Sequence, residues 1–203
     1  AHHHRRPYRF YHEHRQKPGH RALYCSQDTH WTPEACRLAA QAIYRKLEGQ
    51  DPPGHPDLRR GARQIRGDLA RMRQTPALPA ERIDFNEVAY PGSRDSHGYD
   101  HPTSPVILLG DSNIAVFSDP REELYGPGGG LPDYLSLYLG RELDVIAAFG
   151  DGVHQARLNL YRWRSIRKPN YWKNKRWLVW CFSMREFTRA EQWSAEVPLT
   201  KHP

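Results

Sequence analysis

The chain has 203 residues, of which 38% are hydrophobic and 11% aromatic, enough apolar material for the core of one folded domain. No apolar stretch approaches the roughly 20 residues that a membrane span needs, so we expect none. The net charge of +7 leaves nucleic acid, an anionic membrane surface and an acidic substrate open as partners. Three cysteines cannot all pair within one chain and match no zinc spacing; we predict buried thiols, no metal site and no cofactor.

The positive charge is concentrated in two segments. Residues 1–21 carry six basic side chains and one acidic one, and residues 157–176 carry eight basic side chains and no acidic one, which leaves −6 for the rest of the chain. The second segment also contains four aromatic residues. This pattern fits a helix with an aromatic core face and a solvated charged face, and it also fits a module that binds a polyanion or nucleic acid.

The first 22 residues contain six histidines and show no apolar periodicity. We interpret residues 1–22 as a basic, His-rich tail, either a tag remnant or a solvated arm, in preference to a metal site. They show no signal-peptide pattern. Residues 23–203 are assigned to one folded domain.

Helices are predicted for the first half of this domain. Thr32-Pro33-Glu34 has the residues of a helix start, and an apolar face follows as far as Gly49. After a Pro/Gly break, apolar residues recur at helical spacing from Leu58 to Met72 and predict a second helix. Residues 74–104 are interpreted as a long connection with a short strand near 85–90.

From residue 105 onward, short apolar runs alternate with amphipathic segments. Strands buried on both faces are predicted at 106–109, 144–149 and 177–182, and helices at 131–143 and 153–163. Strands alternating with helices predict an α/β domain with a parallel sheet, in which ligands bind at the carboxyl ends of the strands.

Two polar motifs together predict nucleophilic chemistry. Gly110-Asp111-Ser112-Asn113 follows the first of these strands and could expose the Ser112 hydroxyl; alternatively, Ser112 or Asp111 only caps a helix. Asp28 and His30 lie two residues apart before the first helix, where they could form a hydrolase base or merely a local turn. Combined, Ser112, His30 and Asp28 would form a catalytic triad if the fold brings them together.

Two further features lie at the expected functional edge. The glycine turn at 150–152 could supply a backbone N–H of Gly152 to an oxyanion hole, or could be a simple strand-to-helix connection. Arg185, after the last strand, could bind an acidic group or form a structural ion pair.

These motifs resemble the alginate O-acetyltransferase (AlgJ/AlgX-like) branch of the SGNH-hydrolase superfamily over about residues 23–200. The specific part is the string Asp-Thr-His-Trp-Thr-Pro at 28–33 placed ahead of the Gly-Asp-Ser block, because ordinary SGNH hydrolases have the reverse, so the motif order is circularly permuted. The resemblance also includes the glycine turn, the 177–187 segment and the stretch from Gln192 to Leu199.

The resemblance implies a flavodoxin-like, three-layer α/β/α SGNH-hydrolase domain with a mostly parallel sheet. It implies that Ser112 is the nucleophile, His30 the general base and Asp28 its orienting partner, in a periplasmic enzyme that moves acetyl groups onto exopolysaccharide. The usual Gly-x-Asn-Asp block is missing, so Gly152, Asn113 and Arg185 are the predicted oxyanion-hole or substrate-binding residues. The implied partners are an acetyl donor or acetylated carbohydrate, and an anionic polysaccharide is compatible with the basic segment.

Three alternatives remain from the sequence. The first is an SGNH-type carbohydrate acetylesterase, in which water takes the acetyl group. The second, of a different class, is a polyanion or nucleic-acid binding module acting through Arg157–Arg176, with nucleic acid the less favoured ligand. The third is an SGNH fold that has lost catalysis and only binds carbohydrate. Oligomeric state is not predicted.

Overall fold

A three-stranded parallel sheet forms the centre of the protein. The computed structural model describes residues 8–54, 58–73, 78–89, 101–119, 125–150 and 152–188. The sheet has the order β4-β3-β5, and a separate antiparallel pair joins β1 and β2. The predicted α/β class with a parallel sheet is confirmed. The strands are β1 (Leu58–Ile65), β2 (Glu81–Val88), β3 (Val106–Gly110), β4 (Asp144–Ala147) and β5 (Trp177–Cys181).

Helices cover both faces of the sheet. On one face, α2 and α4 pack over Val106 and Leu108 of β3; on the other, α5 packs over Ile107 and Leu109. The result is three layers with β3 in the middle, its side chains almost completely buried. The helices are α1 (Tyr8–Arg15), α2 (Pro33–Glu48), α3 (Asp68–Met72), α4 (Leu131–Leu139), α5 (Gly152–Leu160) and α6 (Arg185–Thr188).

The boundaries of α2 follow the predicted capping residues. The Thr32 hydroxyl accepts a hydrogen bond from the Ala35 N–H at 3.4 Å, and Pro33 occupies the first turn. At the other end Gly49 adopts φ 73°, which closes the helix with an N–H bond to the Arg45 carbonyl. Because α2 begins directly after the Asp28–His30 segment, this cap also fixes where that segment ends.

The predicted helix over residues 58–72 is wrong. These residues form β1 followed by the short helix α3, because β1 pairs with β2 along its whole length. The residues with helical spacing do not share a buried face: Ile65 is buried, whereas Leu69 and Met72 are exposed. The expected short strand near residues 85–90 corresponds to β2, which is longer and begins earlier; Tyr90 lies outside the described residues.

The third strand of the series is present, but the prediction that it is buried on both faces is wrong. Trp177, Leu178 and Trp180 of β5 are 46%, 47% and 39% exposed. Leu178 and Trp180 pair with Ile107 and Leu109 of β3, so they lie on the α5 side of the sheet. Helix α5 lies over β3 and β4, and within the described part of the chain β5 is an edge strand.

The expectation of a solvated N-terminal arm is also wrong for residues 8–15. They form α1, in which Tyr11 donates a hydrogen bond to the Ala35 carbonyl and His14 is buried. Aromatic side chains pack against α2 even though the segment is polar overall, which is why periodicity did not predict the contact. Residues 1–7 lie outside the described part, and the domain boundary at residue 22 stays a prediction.

The cysteines are unpaired, as expected. Cys25 and Cys36 are buried, whereas Cys181 is half-buried. Burial raises the pKa of all three thiols, that of Cys181 to about 12. Among the described residues, no helix is both long and apolar enough to cross a membrane.

Candidate active site

Ser112 stands where the central strand ends. β3 stops at Gly110, and Ser112 begins a single 3₁₀ turn to Ile114. A side chain at Gly110 would place its Cβ 2.5 Å from the Cys181 carbonyl oxygen, so glycine lets the strands approach closely here. The serine is therefore presented at the carboxyl edge of the sheet, where parallel α/β folds bind their ligands.

Asp111, not Ser112, performs the capping role that the sequence left open between them. One Asp111 oxygen accepts hydrogen bonds from the Asn113 backbone N–H and side-chain amide, both at 3.0 Å. Its other oxygen accepts from the Ser183 N–H at 3.0 Å, which joins this turn to the segment after β5. Because Asp111 closes the turn, the Ser112 hydroxyl is left available for another partner.

That partner is His30. The distance from His30 Nε2 to Ser112 Oγ is 2.8 Å, although the residues lie 82 positions apart in the chain. The distance from His30 Nδ1 to Asp28 Oδ1 is 2.5 Å, and the same oxygen accepts the His30 backbone N–H at 2.9 Å. The segment thus forms both the local turn and the Asp–His pair, and the fold places Ser112, His30 and Asp28 in one continuous hydrogen-bonded chain.

A tryptophan fixes the relative position of the two loops. The Trp31 indole Nε1–H donates to the Asn113 carbonyl at 2.6 Å, so residues adjacent to His30 and to Ser112 are bonded to each other. The imidazole remains partly accessible, with 18% of its side chain exposed, while Asp28 is buried. This arrangement holds the His30 imidazole against the Ser112 hydroxyl and leaves part of the ring accessible to solvent.

The Asp28 carboxylate has partners on both oxygens. Its Oδ2 accepts the Asp68 backbone N–H at 3.0 Å and a short hydrogen bond from the Tyr125 hydroxyl. Burial raises the pKa of Asp28, but the hydrogen bonds from His30, from Tyr125 and from the backbone lower it further, leaving the pKa well below its usual range. Asp28 is therefore an anion at neutral pH and can stabilise a protonated His30.

Neither Tyr125 nor Asp68 was identified from the sequence. Asp68 also holds the loop that carries Asp28 and His30, because its carboxylate accepts hydrogen bonds from the Thr29 N–H at 2.8 Å and from the Thr29 hydroxyl at 2.5 Å. Both residues lie far from Asp28 in the chain and in segments without a recognisable motif. The only sequence cue was the Gly67-Asp68 pair, which resembles a helix start, since Asp is favoured in the first turn.

The β1–β2 pair and α3 support the loop that carries Asp28 and His30. The Glu81 carboxylate accepts the backbone N–H groups of Ser26 and Gln27 at 2.8–3.0 Å. At Gly67 a Cβ would lie 1.9 Å from the Gln27 carbonyl oxygen, so the two backbones touch. Beneath them is a separate apolar cluster formed by Cys25, Ile65, Ile83, Phe85, Val116 and Phe117.

The other predicted site residues, Asn113, Gly152 and Arg185, have partners other than the Ser112 hydroxyl. The Asn113 amide is engaged with Asp111, and Gly152 lies against the Glu186 carboxylate. Arg185 is exposed, with its Nε 3.9 Å from Glu186. Roles for Asn113, Gly152 and Arg185 in binding an oxyanion or substrate stay predictions, and Asp151 of the glycine turn lies outside the described residues.

Two carboxylates and one imidazole of the site are grouped as the ligands of a metal ion could be. Asp28, His30 and Asp68 offer ligand atoms that lie within 4.8 Å of one another. Their hydrogen bonds account for this grouping, since both carboxylates accept N–H and O–H donors and the facing ring nitrogen is bonded to Asp28. The donors from Tyr125 and the backbone would have to be displaced before a cation could bind.

Part of the basic segment has a structural role. Arg164 and Lys175 are buried and pair with the fully buried Asp144 at 2.8 and 3.1 Å, and Tyr171 donates to the same carboxylate at 2.6 Å. Burial raises the pKa of Asp144, but these partners more than offset it and lower the pKa overall. Two of the eight cations are therefore core elements rather than a binding surface.

The fold and the Ser112–His30–Asp28 arrangement define an SGNH-hydrolase-like domain. Residues 12–184 match the family described as "ALGX: SGNH hydrolase-like domain, acetyltransferase AlgX". This chain belongs to that family. A comparison with curated proteins finds no match.

Two solved structures are similar to this chain. The O-acetyltransferase domain of Pseudomonas putida AlgJ is 20% identical, with a TM-score of 0.54, over 82% of this chain and 55% of that one. Pseudomonas aeruginosa AlgX is also 20% identical, with a TM-score of 0.49, over 81% of this chain and 38% of that one. The AlgJ match supports the fold, and the chain spans about half the length of that relative.

Proposed function

We propose that this protein is a serine-dependent O-acetyltransferase that acts on a carbohydrate. The observation that carries the proposal is the continuous hydrogen-bonded chain from Ser112 Oγ through the His30 imidazole to the Asp28 carboxylate. In these roles Ser112 is the nucleophile, His30 the general base and Asp28 the residue that orients the imidazole. The family membership favours acetyl as the transferred group.

The reaction has two half-reactions. His30 Nε2 takes the Ser112 proton while Oγ bonds to the acetyl carbonyl carbon, and the protonated His30 then gives that proton to the departing alcohol. The acetyl group remains on Ser112 as an ester. A sugar hydroxyl next loses its proton to His30 and attacks the ester, and the proton returns to Ser112 as its Oγ leaves. The product is an acetylated sugar and the regenerated enzyme.

The buried anion at Asp28 supports this cycle. Its bond to Nδ1 holds the proton on that nitrogen in the resting state, which leaves Nε2 free to accept the Ser112 proton. When the imidazole becomes cationic, the adjacent carboxylate stabilises it without a change in geometry.

For the oxyanion we propose the Ser112 backbone N–H in preference to that of Gly152. The Ser112 N–H begins the turn at the end of β3, next to the reacting hydroxyl. Gly152 has the Glu186 carboxylate against it, and a nearby negative charge disfavours a second one. Asn113 and Arg185 are secondary proposals for substrate contacts.

Because the chain belongs to the AlgX-like acetyltransferase family, we further propose an exopolysaccharide acceptor and a periplasmic location. Hydrolysis is the competing outcome, since a water molecule can replace the sugar hydroxyl in the second half-reaction. An anionic polysaccharide fits the six cations of residues 157–176 that are not buried against Asp144.

The test follows the acetyl group. Protein mixed with 4-nitrophenyl acetate and quenched in acid should carry one acetyl group on Ser112 by peptide mass spectrometry. The S112A variant should lose both this adduct and nitrophenol release. Ser136, at the far end of α4, provides the matched control: the S136A variant should retain both. Undiminished turnover in S112A would overturn the proposal.

A second measurement separates transfer from hydrolysis. Adding an oligosaccharide acceptor should divert the label of an acetyl-labelled donor from free acetate to the sugar. Label found only in acetate at every acceptor concentration would assign the protein as an acetylesterase instead.

A further inference from the structure

A pocket opens on a part of the domain away from the candidate active site. It has a volume of about 430 Å³ and is lined by Val145, Trp163, Arg164, Arg167 and Lys168. It opens beside the amino end of β4, whose first residue pairs with Ile107 of β3. Ser112 follows the carboxyl end of β3, so the pocket and the Ser112 hydroxyl lie toward opposite ends of the sheet.

An irregular helical turn shapes this pocket. α5 continues into a π turn over Tyr161–Ser165, a widened geometry that recurs at functional sites. Within it Arg164 turns inward to Asp144, at 2.8–2.9 Å, while the preceding Trp163 keeps 41% of its surface exposed. The turn therefore directs a guanidinium into the core and leaves an indole ring at the pocket wall.

Among the described residues, three basic side chains and no acidic one line the pocket. The nearest buried anion, Asp144, is already shared by Arg164, Lys175 and Tyr171. In the part of the chain that the structure describes, neither Arg167 nor Lys168 has a carboxylate partner for its side chain. A negatively charged ligand would supply the missing partner.

The lining specifies more than charge. An indole offers a broad apolar surface with one polar edge, onto which the C–H face of a sugar ring can pack. A guanidinium binds a carboxylate through two parallel N–H bonds, and an ammonium adds a point charge. A ring with one apolar face and one carboxylate fits this combination, and hexuronates are sugars of that kind. The volume falls within the range of small-ligand pockets.

We propose that this pocket binds a uronate residue of an anionic polysaccharide, at a distance from the site of acetyl transfer. The choice of a polysaccharide as the source of the uronate rests on the proposed function. Single-stranded nucleic acid is less well matched, because it is bound by several stacking aromatics along a basic groove rather than by one ring in a pocket. The pocket would hold the polymer while another of its sugars reaches Ser112.

Binding is measured in the S112A background, so that turnover cannot alter the ligand. Isothermal titration with an alginate hexasaccharide is compared for S112A alone and for S112A combined with W163A, with R167A/K168A or with K173A. The first two combinations should weaken binding about tenfold or more. Lys173 is an exposed cation of the same segment outside the pocket lining, so K173A should change affinity less than twofold.

The same substitutions in the active protein separate binding from catalysis. W163A and R167A/K168A should raise KM for the polysaccharide about tenfold, with kcat for the polymer and all kinetics on 4-nitrophenyl acetate unchanged. Urea unfolding of each variant confirms that the fold is intact. Loss of ester turnover in S112A tests the proposed function, and the affinity of S112A for the hexasaccharide tests the pocket. Either proposal can therefore fail without the other.

Two results would overturn the inference. The first is an alginate affinity that is unchanged in W163A and in R167A/K168A. The second is tighter binding of single-stranded oligonucleotide than of the hexasaccharide through the same residues, which would assign the pocket to nucleic acid.

Discussion

Replacing Asp28 by asparagine tests the candidate site and the stability of the fold together. Both carboxylate oxygens accept hydrogen bonds: Oδ1 from two His30 groups, and Oδ2 from the Asp68 N–H and the Tyr125 hydroxyl. An asparagine has only one acceptor oxygen, and its amide nitrogen must face one of these two sets of donors. Each orientation therefore has a distinct and calculable defect.

If the amide nitrogen takes the Oδ2 position, it faces the Asp68 N–H, which cannot turn away. Leaving this partly buried backbone donor without an acceptor costs about 1–3 kcal/mol. If the nitrogen takes the Oδ1 position, it donates to His30 Nδ1, which moves the ring proton to Nε2. His30 then faces Ser112 with a proton and cannot accept another, a tautomer error that costs about 10⁴-fold in turnover in serine proteases.

We therefore expect D28N to lose about 1–3 kcal/mol of unfolding free energy if its amide nitrogen faces Asp68, and 10³-fold or more in kcat on 4-nitrophenyl acetate if it faces His30. Unfolding is followed in urea by tryptophan fluorescence. Tyr125→Phe is the matched control, because it removes one donor to Asp28 and leaves the His30 pair in place. D28N turnover within tenfold of wild type, at unchanged stability, would refute this assignment of roles.

The pH dependence provides a third readout of the same substitution. The pKa of Asp28 is lowered in the folded protein, so its contribution is fully present above the unfolded-state pKa of about 3.9 and is lost as the pH falls below that value. Wild-type unfolding free energy should therefore decline more steeply below about pH 4 than that of D28N. Parallel declines would show that Asp28 is not held as an anion by the fold.

Three other substitutions have defined outcomes. G67A would place its Cβ 1.9 Å from the Gln27 carbonyl oxygen. This overpacking should lower the unfolding free energy by about 1–3 kcal/mol and reduce turnover at least tenfold, because it displaces the loop that carries Asp28 and His30. Turnover equal to wild type would contradict the close contact. D144N removes the buried anion that Arg164 and Lys175 share and should cost about 3–5 kcal/mol in urea unfolding, with little effect on ester turnover of the folded fraction; an unchanged midpoint would refute the cluster's role. W31F removes the indole donor between the two loops and should cost about 1 kcal/mol with a several-fold lower kcat, whereas a kcat equal to wild type would separate loop position from activity.

The parts of the fold that were predictable are those with strong local signals. Capping residues located α2, and apolar runs located β3 and β4, each within a few residues of its observed bounds. The helix after residue 131 ends at Leu139 rather than 143, because Gly140 takes φ 60° and closes it. The helix predicted for the β1 residues was wrong because their pairing with β2 is a long-range interaction, which overrides a coincidental helical spacing.

In the candidate site, motif reasoning identified the three residues with distinctive chemistry and missed those that support them. Ser112 and the Asp28–His30 pair occur in recognisable strings at expected places. Asp68 and Tyr125 belong to no recognisable motif, because only the fold brings them to Asp28. Asp68 donates its backbone N–H and Tyr125 its hydroxyl to the Asp28 carboxylate, which is far away in sequence. The exposure of Trp163 was equally unpredictable, because it depends on a π turn.

The loop that carries Asp28 and His30 is held in place by residues that come later in the chain. Its fixed position relies on hydrogen bonds to Asp68, Glu81, Ser112 and Tyr125, all of which follow it along the chain. During synthesis, which proceeds from the N-terminus, His30 leaves the ribosome before any of these partners exists. His30 and Ser112 can meet only after the β1–β2 pair and the central strand have folded. Esterase activity in a translation reaction would therefore report completion of the domain, and nascent chains stopped before residue 125 would lack an assembled site.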